Sequence, residues 1–532
     1  MSMDTYIGAR YIPRFLGTFD PTQQYEALDV VDNGSGTSYI SKIPTPAGTP
    51  LTDTTHWAIY GASSAAIAAL TARVDALDNA FPPLEKISDA IRTPEAYGAV
   101  GDGVTDDTAA INAALADGGT IVFRSGATYM VDTDTALLPI DNSVIDLNGA
   151  ILKAIPNAED HYEVIMVKNK KNVVIRDGII IGDRDNHLAT TGEWGMGVYC
   201  YGSDHVYIEN MDITDTWGDG VYIGEDCHDI KVIGCRIDHC RRQGVSVTQA
   251  EDVVITGNVI TDIIGTAPEC GIDIEPNANQ AVKRVTVANN IIKDTTYGIV
   301  VSGAATGATV EDIIENGNLI IIRTGSVQRA LQVNQAARVK ITNNSVQANM
   351  SGASALLYLD RADDHFISGN SFSDCAAYVA IRVSGGNGTI KGNVFSRIVC
   401  ATEFAYYLNT SYNEFSDNHL DHITTTGADN YLLYFAGSTS NPSIKNTIKG
   451  NIVADSTFKY AFAFGADASY NLFFSNVVNV VCDYVAYTRV SGVSGNALYF
   501  NSLRDGTSGT ASGVGGYGGS LVANIVNGSF VA

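Results

Sequence analysis

The amino-acid sequence predicts an all-β chain: a right-handed parallel β-helix solenoid that follows a small N-terminal β module and a short neck helix. The first observation behind this fold class is a set of short apolar runs that return roughly every two dozen residues. Each run alternates with period two, as a strand with one buried face does. The runs cover residues 197–201, 220–224, 244–248, 271–275, 298–302 and 330–334.

When the runs are aligned, their apolar residues fall into two columns that we expect to face the interior. One column holds Val198, Val221, Val245, Ile272, Ile299 and Leu331, and the other holds Cys200, Ile223, Val247, Ile274, Val301 and Val333. A single repeat of this kind buries its apolar face only by packing on its neighbours, so the pattern predicts stacked coils.

The second observation is an asparagine that recurs at turns, often directly after a glycine. It ends the runs 205–210, 252–258, 284–289 and 338–343, and it returns at Asn370, Asn393, Asn418, Asn451 and Asn476. Because an amide side chain both donates and accepts hydrogen bonds, an Asn stacked once per coil can bind the coils above and below it.

Composition excludes several classes of partner. The formal net charge of -25 argues against nucleic acid and against an anionic membrane surface, because phosphate binding needs clustered Lys and Arg. No segment is apolar over a membrane-spanning length, and the N-terminus lacks the apolar core of a signal peptide. The eight cysteines form no CxxC pair, so we expect free thiols in a protein made in the cytoplasm without a signal peptide.

Residues 1–61 read as a separate module of short β runs between Gly and Pro turns. Four motifs in order, residues 6–13, 38–41, 46–48 and 57–61, resemble the N-terminal module of phage and prophage tail fibres and spikes. The resemblance implies attachment to a tail or baseplate protein of a virion. An unrelated small β domain or carbohydrate-binding module is the alternative interpretation.

Residues 62–82 change to an Ala-rich helical pattern that ends at Pro82. The apolar residues follow a 3-4-3-4 spacing that is typical of a coiled-coil seam, namely Ile67, Leu70, Val74, Leu77 and Phe81. We therefore expect a short neck that assembles the chain as a homotrimer. The alternative is a helix that lies on its own domain.

The solenoid is expected to span residues 91–485, with a Gly-rich C-terminal tip at 486–532. Residues 98–111 resemble the start of the pectate-lyase-like β-helix family, in which a short helix covers the open N-terminal end of the solenoid. Asp106 or Asp107 is the expected N-cap of that helix. The resemblance fixes no reaction, since one fold hosts many chemistries.

Candidate site residues come from the positions of the aligned runs that are free to vary. Coils stack about 4.8 Å apart, so these side chains should share one wall of the solenoid. The expected wall resembles a sugar-binding groove, with aromatic faces to stack on pyranose rings. It contains Trp194, Tyr199, Trp217, Asp219, Tyr222, Arg241, Arg242, Glu269, Asp273 and Glu275.

Asp273 and Glu275 are the candidate catalytic pair, with Asp219 as a further carboxylate. Two residues apart on one strand, they should project from one face with Cα atoms about 6.6 Å apart. Glycoside hydrolysis needs two carboxyl groups across the scissile bond, and their proximity should raise the pKa of one of them. The segment 271–276 also resembles one that is widespread in pectate-lyase-like proteins of bacteria and phages.

Two other interpretations stay open. In a polysaccharide lyase, the carboxylates would hold Ca²⁺ against a uronate while Arg241 or Arg242 abstracts the C5 proton; no other cofactor is expected. Alternatively, the carboxylates are ordinary solvated surface charges. Together the motifs predict a phage or prophage tailspike, located in the virion tail, that recognises and depolymerises a bacterial surface polysaccharide. A non-catalytic adhesin of the same fold is the rival hypothesis.

Overall fold

A computed structural model describes residues 13–60, save 36, and residues 91–531. Within the second range, the gaps are 326–327, 352–353, 402–403, 427–430, 438–441, 459, 466, 482–483, 489–495, 500–501, 506–513, 516–519, 523 and 527–528. The chain divides into two compact units, residues 1–87 and 88–532. The predicted neck helix and the motif at residues 6–12 lie outside the described residues.

The N-terminal unit contains one four-stranded sheet, formed by Arg14–Thr18, Asp29–Asp32, Ser38–Ser41 and Trp57–Ile59. The first pair of strands is parallel and the other two pairs are antiparallel. Tyr25 and Trp57 pack edge to face at 5.2 Å between ring centroids and form a small core with Val31. Of the motifs noted in this part of the chain, residues 38–41 and 57–59 lie in strands of this sheet.

The second unit begins with a 3₁₀ turn at Pro94–Tyr97 and one α-helix, Thr108–Ala116. Ile111, Ala114 and Leu115 of the helix are buried in the core that the solenoid strands share. Asp107 is the N-cap residue, but its carboxylate accepts hydrogen bonds from the backbone N–H groups of Val100 and Gly101. Asp106 instead accepts a hydrogen bond from the N–H of Thr108, the first residue of the helix. Of the two predicted capping residues, Asp106 therefore binds the helix and Asp107 binds the preceding loop.

Three parallel sheets run along the solenoid, and from residue 161 onwards each coil adds one strand to each sheet. Sheet A contains His161–Lys168, Trp194–Tyr201, Asp219–Gly224, Gln243–Val247, Cys270–Ile274, Tyr297–Ser302, Arg329–Asn334, Ala355–Asp360, Val379–Gly386, Phe404–Ser411, Tyr431–Phe435, Tyr460–Phe464, Tyr484–Thr488 and Val514–Gly515.

Sheet B follows sheet A in each coil. It contains Ile91–Arg92, Gly119–Val122, Ser143–Asp146, Lys171–Arg176, Asp204–Glu209, Cys227–Ile233, Ala250–Thr256, Ala281–Ala288, Thr309–Asn316, Lys340–Thr342, Phe366–Ser368, Thr389–Lys391, Glu414–Ser416, Thr447–Lys449, Leu472–Phe474, Ala497–Tyr499 and Ser520–Val522.

Sheet C completes the coil. It contains Asp102–Asp106, Thr128–Val131, Ile151–Ala154, Ile179–Ile181, Asp212–Thr214, Arg236–Asp238, Val259–Thr261, Ile291–Thr295, Leu319–Gly325, Ser345–Met350, Ser371–Ala377, Val394–Cys400, His419–Thr425, Ile452–Thr457, Val477–Val481, Ser502–Asp505, Asn524–Val526 and Ser529–Val531. The last two of these strands pair antiparallel. A second 3₁₀ turn, Arg184–Asn186, follows the strand Ile179–Ile181.

The observed register confirms the predicted β-helix. Both apolar columns pair residue by residue along sheet A, from Val198 to Leu331 and from Cys200 to Val333, and every member is fully buried. Described strands of all three sheets continue into residues 486–526 rather than ending near residue 485. None of the helices in the described residues is long and apolar enough to cross a membrane.

The turn asparagines form a continuous ladder of buried amides. The Nδ2 of each Asn donates to the Oδ1 of the Asn one coil further on, at 2.9–3.0 Å. The members are Asn258, Asn290, Asn318, Asn344, Asn370, Asn393, Asn418, Asn451 and Asn476. The ladder was expected, but in two coils it is formed by the residue after the predicted Asn. The predicted Asn210 is not a member, because its Nδ2 donates to Asp177 Oδ1 instead. Asn289 and Asn343 adopt positive φ angles, and this is the position that Gly257 occupies in its own coil.

One acidic side chain lies inside the apolar core. Glu315 pairs in register with Val287 on one side and Ile341 on the other, and its carboxyl group is fully buried. Neither oxygen has a hydrogen-bond partner among the described residues. Burial raises the pKa of Glu315 to about 8, so the neutral acid is the form that the core holds at neutral pH.

Candidate functional site

Three neighbouring strands of sheet A position the candidate site: Asp219–Gly224, Gln243–Val247 and Cys270–Ile274. Their register pairs Asp219 with Gln243, and it places Tyr222, Ser246 and Asp273 in one column. These are the positions that the sequence pattern leaves outside the apolar columns, so the predicted wall exists as a set of aligned side chains.

A glycine in each strand interrupts the strict alternation of faces. A Cβ on Gly244 would come within 2.5 Å of the Gly271 carbonyl oxygen and of Ile260 Cγ2, a core atom, so this position admits no side chain. Gly244 and Val245 therefore both lie toward the interior. As a result, Gln243 and Ser246 share the outer face, where the Ser246 hydroxyl oxygen contacts Gln243 Oε1.

A pocket of about 430 Å³ opens on this face of sheet A. Its lining brings together five residues of the predicted site, namely Trp194, Tyr222, Arg242, Asp273 and Glu275. Trp194 is 42% exposed and so presents an aromatic surface to a ligand. The rest of the lining is formed by Gln243, Ser246, Thr248, Pro276, Asn277, Ala278 and Ala305.

Asp273 is a buried carboxyl group at the bottom of the pocket. Its Oδ2 accepts a hydrogen bond from Gln243 Nε2, whereas its Oδ1 has no hydrogen-bond partner among the described residues. Burial, reinforced by the nearby Glu275 carboxylate, raises the pKa of Asp273 well above its ordinary value. Burial thus favours the protonated form of Asp273, and Oδ1 stays without a hydrogen-bond partner among the described residues.

Glu275 comes directly after the same strand, and its side chain is exposed. Its backbone N–H donates to the Val247 carbonyl oxygen at 3.0 Å, which continues the sheet pairing past the end of the strand. Because Asp273 and Glu275 both line the pocket, the pair that the sequence placed on one face does meet there. One carboxyl group is buried and the other faces solvent.

Asp219 lies beneath the pocket and is fully buried. Burial raises the pKa of Asp219 to about 6, although the Arg242 guanidinium opposes this shift. Arg242 Nη1 donates to Asp219 Oδ2 at 3.1 Å, and the Ser246 hydroxyl donates to the same oxygen at 2.8 Å. Arg242 Nε also lies 3.5 Å from Glu193 Oε2. Asp219 therefore holds Arg242 in place from below rather than facing a ligand.

Trp217 and Arg241 do not line the pocket, contrary to the predicted groove. The Trp217 ring is only 8% exposed and stacks on His187 at 4.0 Å between ring centroids. The Arg241 guanidinium lies 3.8 Å from the centre of the same ring. A loop that includes Thr191 folds over this tryptophan, and the Trp217 Nε1 donates to the Thr191 carbonyl oxygen at 3.4 Å.

Glu269 and Tyr199 also lie away from the pocket lining. The Glu269 carboxylate accepts from the Gly265 N–H at 2.9 Å and from the Thr296 hydroxyl at 2.5 Å, so it closes a loop. Tyr199 is 7% exposed and packs edge to face at 4.9 Å on Tyr222, its register partner in the next coil.

Three polar residues of the site were missed by the sequence reasoning. Gln243 and Ser246 bind the two buried carboxyl groups, and Glu193 lies beside Arg242. The available signal was their polarity at positions aligned with Asp219 and Asp273. The role of Glu193 could not be predicted from the aligned runs, because this residue precedes the first strand among them.

Two groups of the described residues could hold a metal ion, and neither includes the pocket carboxyls. They are Asp185, Asp215 and His239, and Asp421, His422 and Asp455. The sequence favours a structural or solvent-exposed role for His239, because no metal-binding partner is near it in the chain, yet its Nδ1 lies 2.5 Å from Asp215 Oδ1. The predicted Ca²⁺ of a lyase remains a prediction.

Comparison with known proteins defines the class of the chain. The family model for a right-handed β-helix region matches residues 155–314 and 329–514, which is more than half of the sequence. The protein therefore belongs to the right-handed β-helix family.

Particular relatives come from bacteria and phages. The chain is 26% identical over 310 residues to the uncharacterized protein YclG of Bacillus subtilis, covering 49% of this chain and 53% of that protein. It is 24% identical over 244 residues to the SPbeta prophage-derived uncharacterized protein YorA of Bacillus subtilis, covering 37% and 42%. The chain thus spans about half the length of the curated relatives it matches.

A similar solved structure is tailspike protein 3 of bacteriophage CBA120. The similarity covers 93% of this chain and 79% of that one, with 14% identity and a TM-score of 0.43.

Proposed function

We propose that the protein binds a bacterial surface polysaccharide and cleaves its glycosidic bonds in the pocket on sheet A. The observation that carries this proposal is the pairing of the buried Asp273, whose pKa is raised, with the exposed Glu275 in one open pocket. Glycoside hydrolysis needs an acid that protonates the leaving oxygen and a second carboxylate that acts as base or nucleophile.

Each pocket residue has a role in this chemistry. Asp273 gives its proton to the glycosidic oxygen, and its burial favours the protonated form that this role needs. Glu275 activates water or attacks the anomeric carbon. Arg242 stabilises the carboxylate that Asp273 becomes, since its guanidinium charge opposes the rise of the Asp273 pKa. Trp194 offers an apolar face to a sugar ring.

The setting of this activity is a phage or prophage tailspike. In this proposal, residues 1–61 attach the chain to a tail or baseplate protein, as their resemblance to tail-fibre modules implies, and residues 62–82 assemble a homotrimer. One relative is a prophage-derived protein, and this origin supports the setting. The protein is then located in the virion tail.

The test compares turnover, binding and melting temperature for Asp273→Asn and Glu275→Gln on one cognate polysaccharide that a capsule panel identifies. Both substitutions preserve shape and remove acid–base competence, so each should lower turnover by about 10²- to 10⁴-fold and leave binding and melting little changed. The matched control is Asp374→Asn, which removes an exposed carboxylate paired with Arg397 on sheet C. It should retain wild-type turnover.

The product distinguishes the alternatives. New reducing ends without ultraviolet absorbance identify a hydrolase, whereas an unsaturated, absorbing product identifies a lyase and refutes the assigned roles. Binding without either product identifies the protein as an adhesin. Near wild-type turnover of both carboxyl variants would place the reaction elsewhere in the molecule.

A further inference from the structure

A cluster of two arginines around one tyrosine lies further along the outer face of sheet A. The Arg329 guanidinium is 4.6 Å from the centre of the Tyr358 ring, and the Arg382 guanidinium is 5.4 Å from it. Arg382 is exposed, and Arg329 and Tyr358 are half-buried. The three side chains come from three successive coils, so the register of the solenoid brings them together.

The cluster is aligned with the pocket. Asp273 pairs in register with Val300, and the same column continues through Gln332 and Tyr358 to Arg382. With coils about 4.8 Å apart, Tyr358 lies about 14 Å and Arg382 about 19 Å from Asp273 along the solenoid axis. A polysaccharide that runs along this axis from the pocket therefore reaches the arginines within a few sugar units.

The electrostatics of the cluster favour an anion. Burial lowers the pKa of Arg329, and the positive charge of Arg382 acts in the same direction. Asp360, two residues after Tyr358 on the same strand, accepts hydrogen bonds from the Ser384 hydroxyl and from Arg361. Two guanidinium groups gathered on an outer face are notable in a chain with a net charge of -25, which otherwise repels anionic polymers.

We propose that Arg329, Tyr358 and Arg382 form a subsite for an acidic sugar of the polysaccharide chain that the pocket holds. A guanidinium matches a carboxylate with two parallel hydrogen bonds, and the Tyr358 ring holds both guanidiniums by cation–π contact. This inference rests on the proposed function, and it specifies the substrate class as a polymer that contains carboxylated sugars.

The experiment is a glycan array that carries uronate-containing oligosaccharides together with the same oligosaccharides after carboxyl reduction. Wild-type protein and Asp273→Asn should bind the acidic members and lose at least about tenfold in affinity for the reduced ones. Arg382→Gln and the double variant Arg329→Gln/Arg382→Gln should show the same loss on the acidic members. The matched control is Arg397→Gln, which removes an exposed arginine on sheet C and should bind as wild type does.

The outcomes separate this inference from the proposed function. Three results would each overturn the subsite, whatever the turnover in the pocket. They are equal binding of the acidic and the reduced oligosaccharides, binding of the acidic ones by the double variant, and no binding of any acidic oligosaccharide. Loss of acidic binding in the double variant supports the subsite even when Asp273→Asn shows that the pocket carries no reaction. The single variant Arg382→Gln serves as a control for misfolding, because the Arg382 side chain is exposed and its loss should leave the fold intact.

Discussion

Replacing the buried carboxyl of Glu315 by leucine should stabilise the solenoid, and increasingly so as pH rises. The pKa of Glu315 is about 8 in the folded chain against an ordinary value of 4.5. Between these values the unfolded chain releases a proton that the folded chain retains, so stability falls as pH rises and is constant above about pH 8. Leucine removes this linkage and matches its apolar neighbours Val287 and Ile341.

The magnitude can be worked out from the two pKa values. Integrating the linkage gives a loss of about 3.5 kcal/mol between pH 5 and pH 8. For a cooperative unit as long as residues 88–532, an unfolding entropy of about 0.9 kcal/mol per kelvin converts this loss to about 4 °C in melting temperature. The lead of Glu315→Leu over wild type should therefore widen by about 4 °C from pH 5 to pH 8.

Thermal melts by circular dichroism at several pH values measure this lead. Glu315→Gln is the control: it is neutral at every pH and should also remove the pH-dependent difference, but its unsatisfied amide should leave it less stable than the leucine variant. A lead that stays constant from pH 5 to pH 8 would refute the reasoning, because the carboxyl group would then have found solvent or a partner.

Three further predictions concern the ladder, the ion pair and the assembly. Asn344→Leu leaves the amide of Asn318 without its acceptor, so the free energy of unfolding should fall by about 3–6 kcal/mol in thermal or denaturant melts. Asn343→Gly replaces a residue at a positive φ and should change the free energy of unfolding by less than about 1 kcal/mol. Equal effects of the two variants would contradict the ladder. Arg242→Gln removes the cation that pairs with buried Asp219, so the pKa of Asp219 should rise above about 6. The free energy of unfolding should fall by about 3–5 kcal/mol, and by more at pH 8 than at pH 5, because the unpaired carboxylate is charged at the higher pH. A loss of stability that does not depend on pH would contradict this account. Light scattering of the intact protein should give about three times the 56.4 kDa chain mass, and a monomer at micromolar concentration would refute the trimer.

The fold could be predicted because the sequence states it many times. The coils repeat the same requirement, two inward apolar residues and, from Asn258 to Asn476, one turn amide, so a misreading of any single coil is corrected by the others. Where a coil departs from the pattern the prediction slips: the Asn343-Asn344 pair offers two amides, and only backbone geometry decides that the first takes the left-handed position and the second joins the ladder.

The site was predicted in part, for a physical reason. Residues such as Asp273 belong to strands, whose alignment can be counted from the sequence. Trp217 occupies an equivalent aligned position, but a loop from an earlier part of the chain brings Thr191 and His187 against it and removes it from solvent. No periodicity describes where such a loop folds. The burial that raises the Asp273 pKa was likewise unpredictable, since it depends on neighbours from several coils.

The amide ladder makes the alignment of each coil independent of the length of the chain that connects it to the coil before. Successive ladder members are 23 to 33 residues apart, yet their hydrogen bonds keep the same length. Residues added to or removed from a connecting loop therefore leave the next coil docked on the same amide. Evolution can lengthen, shorten or exchange the loops that border the pocket, and so retarget the protein to another ligand, without altering the fold.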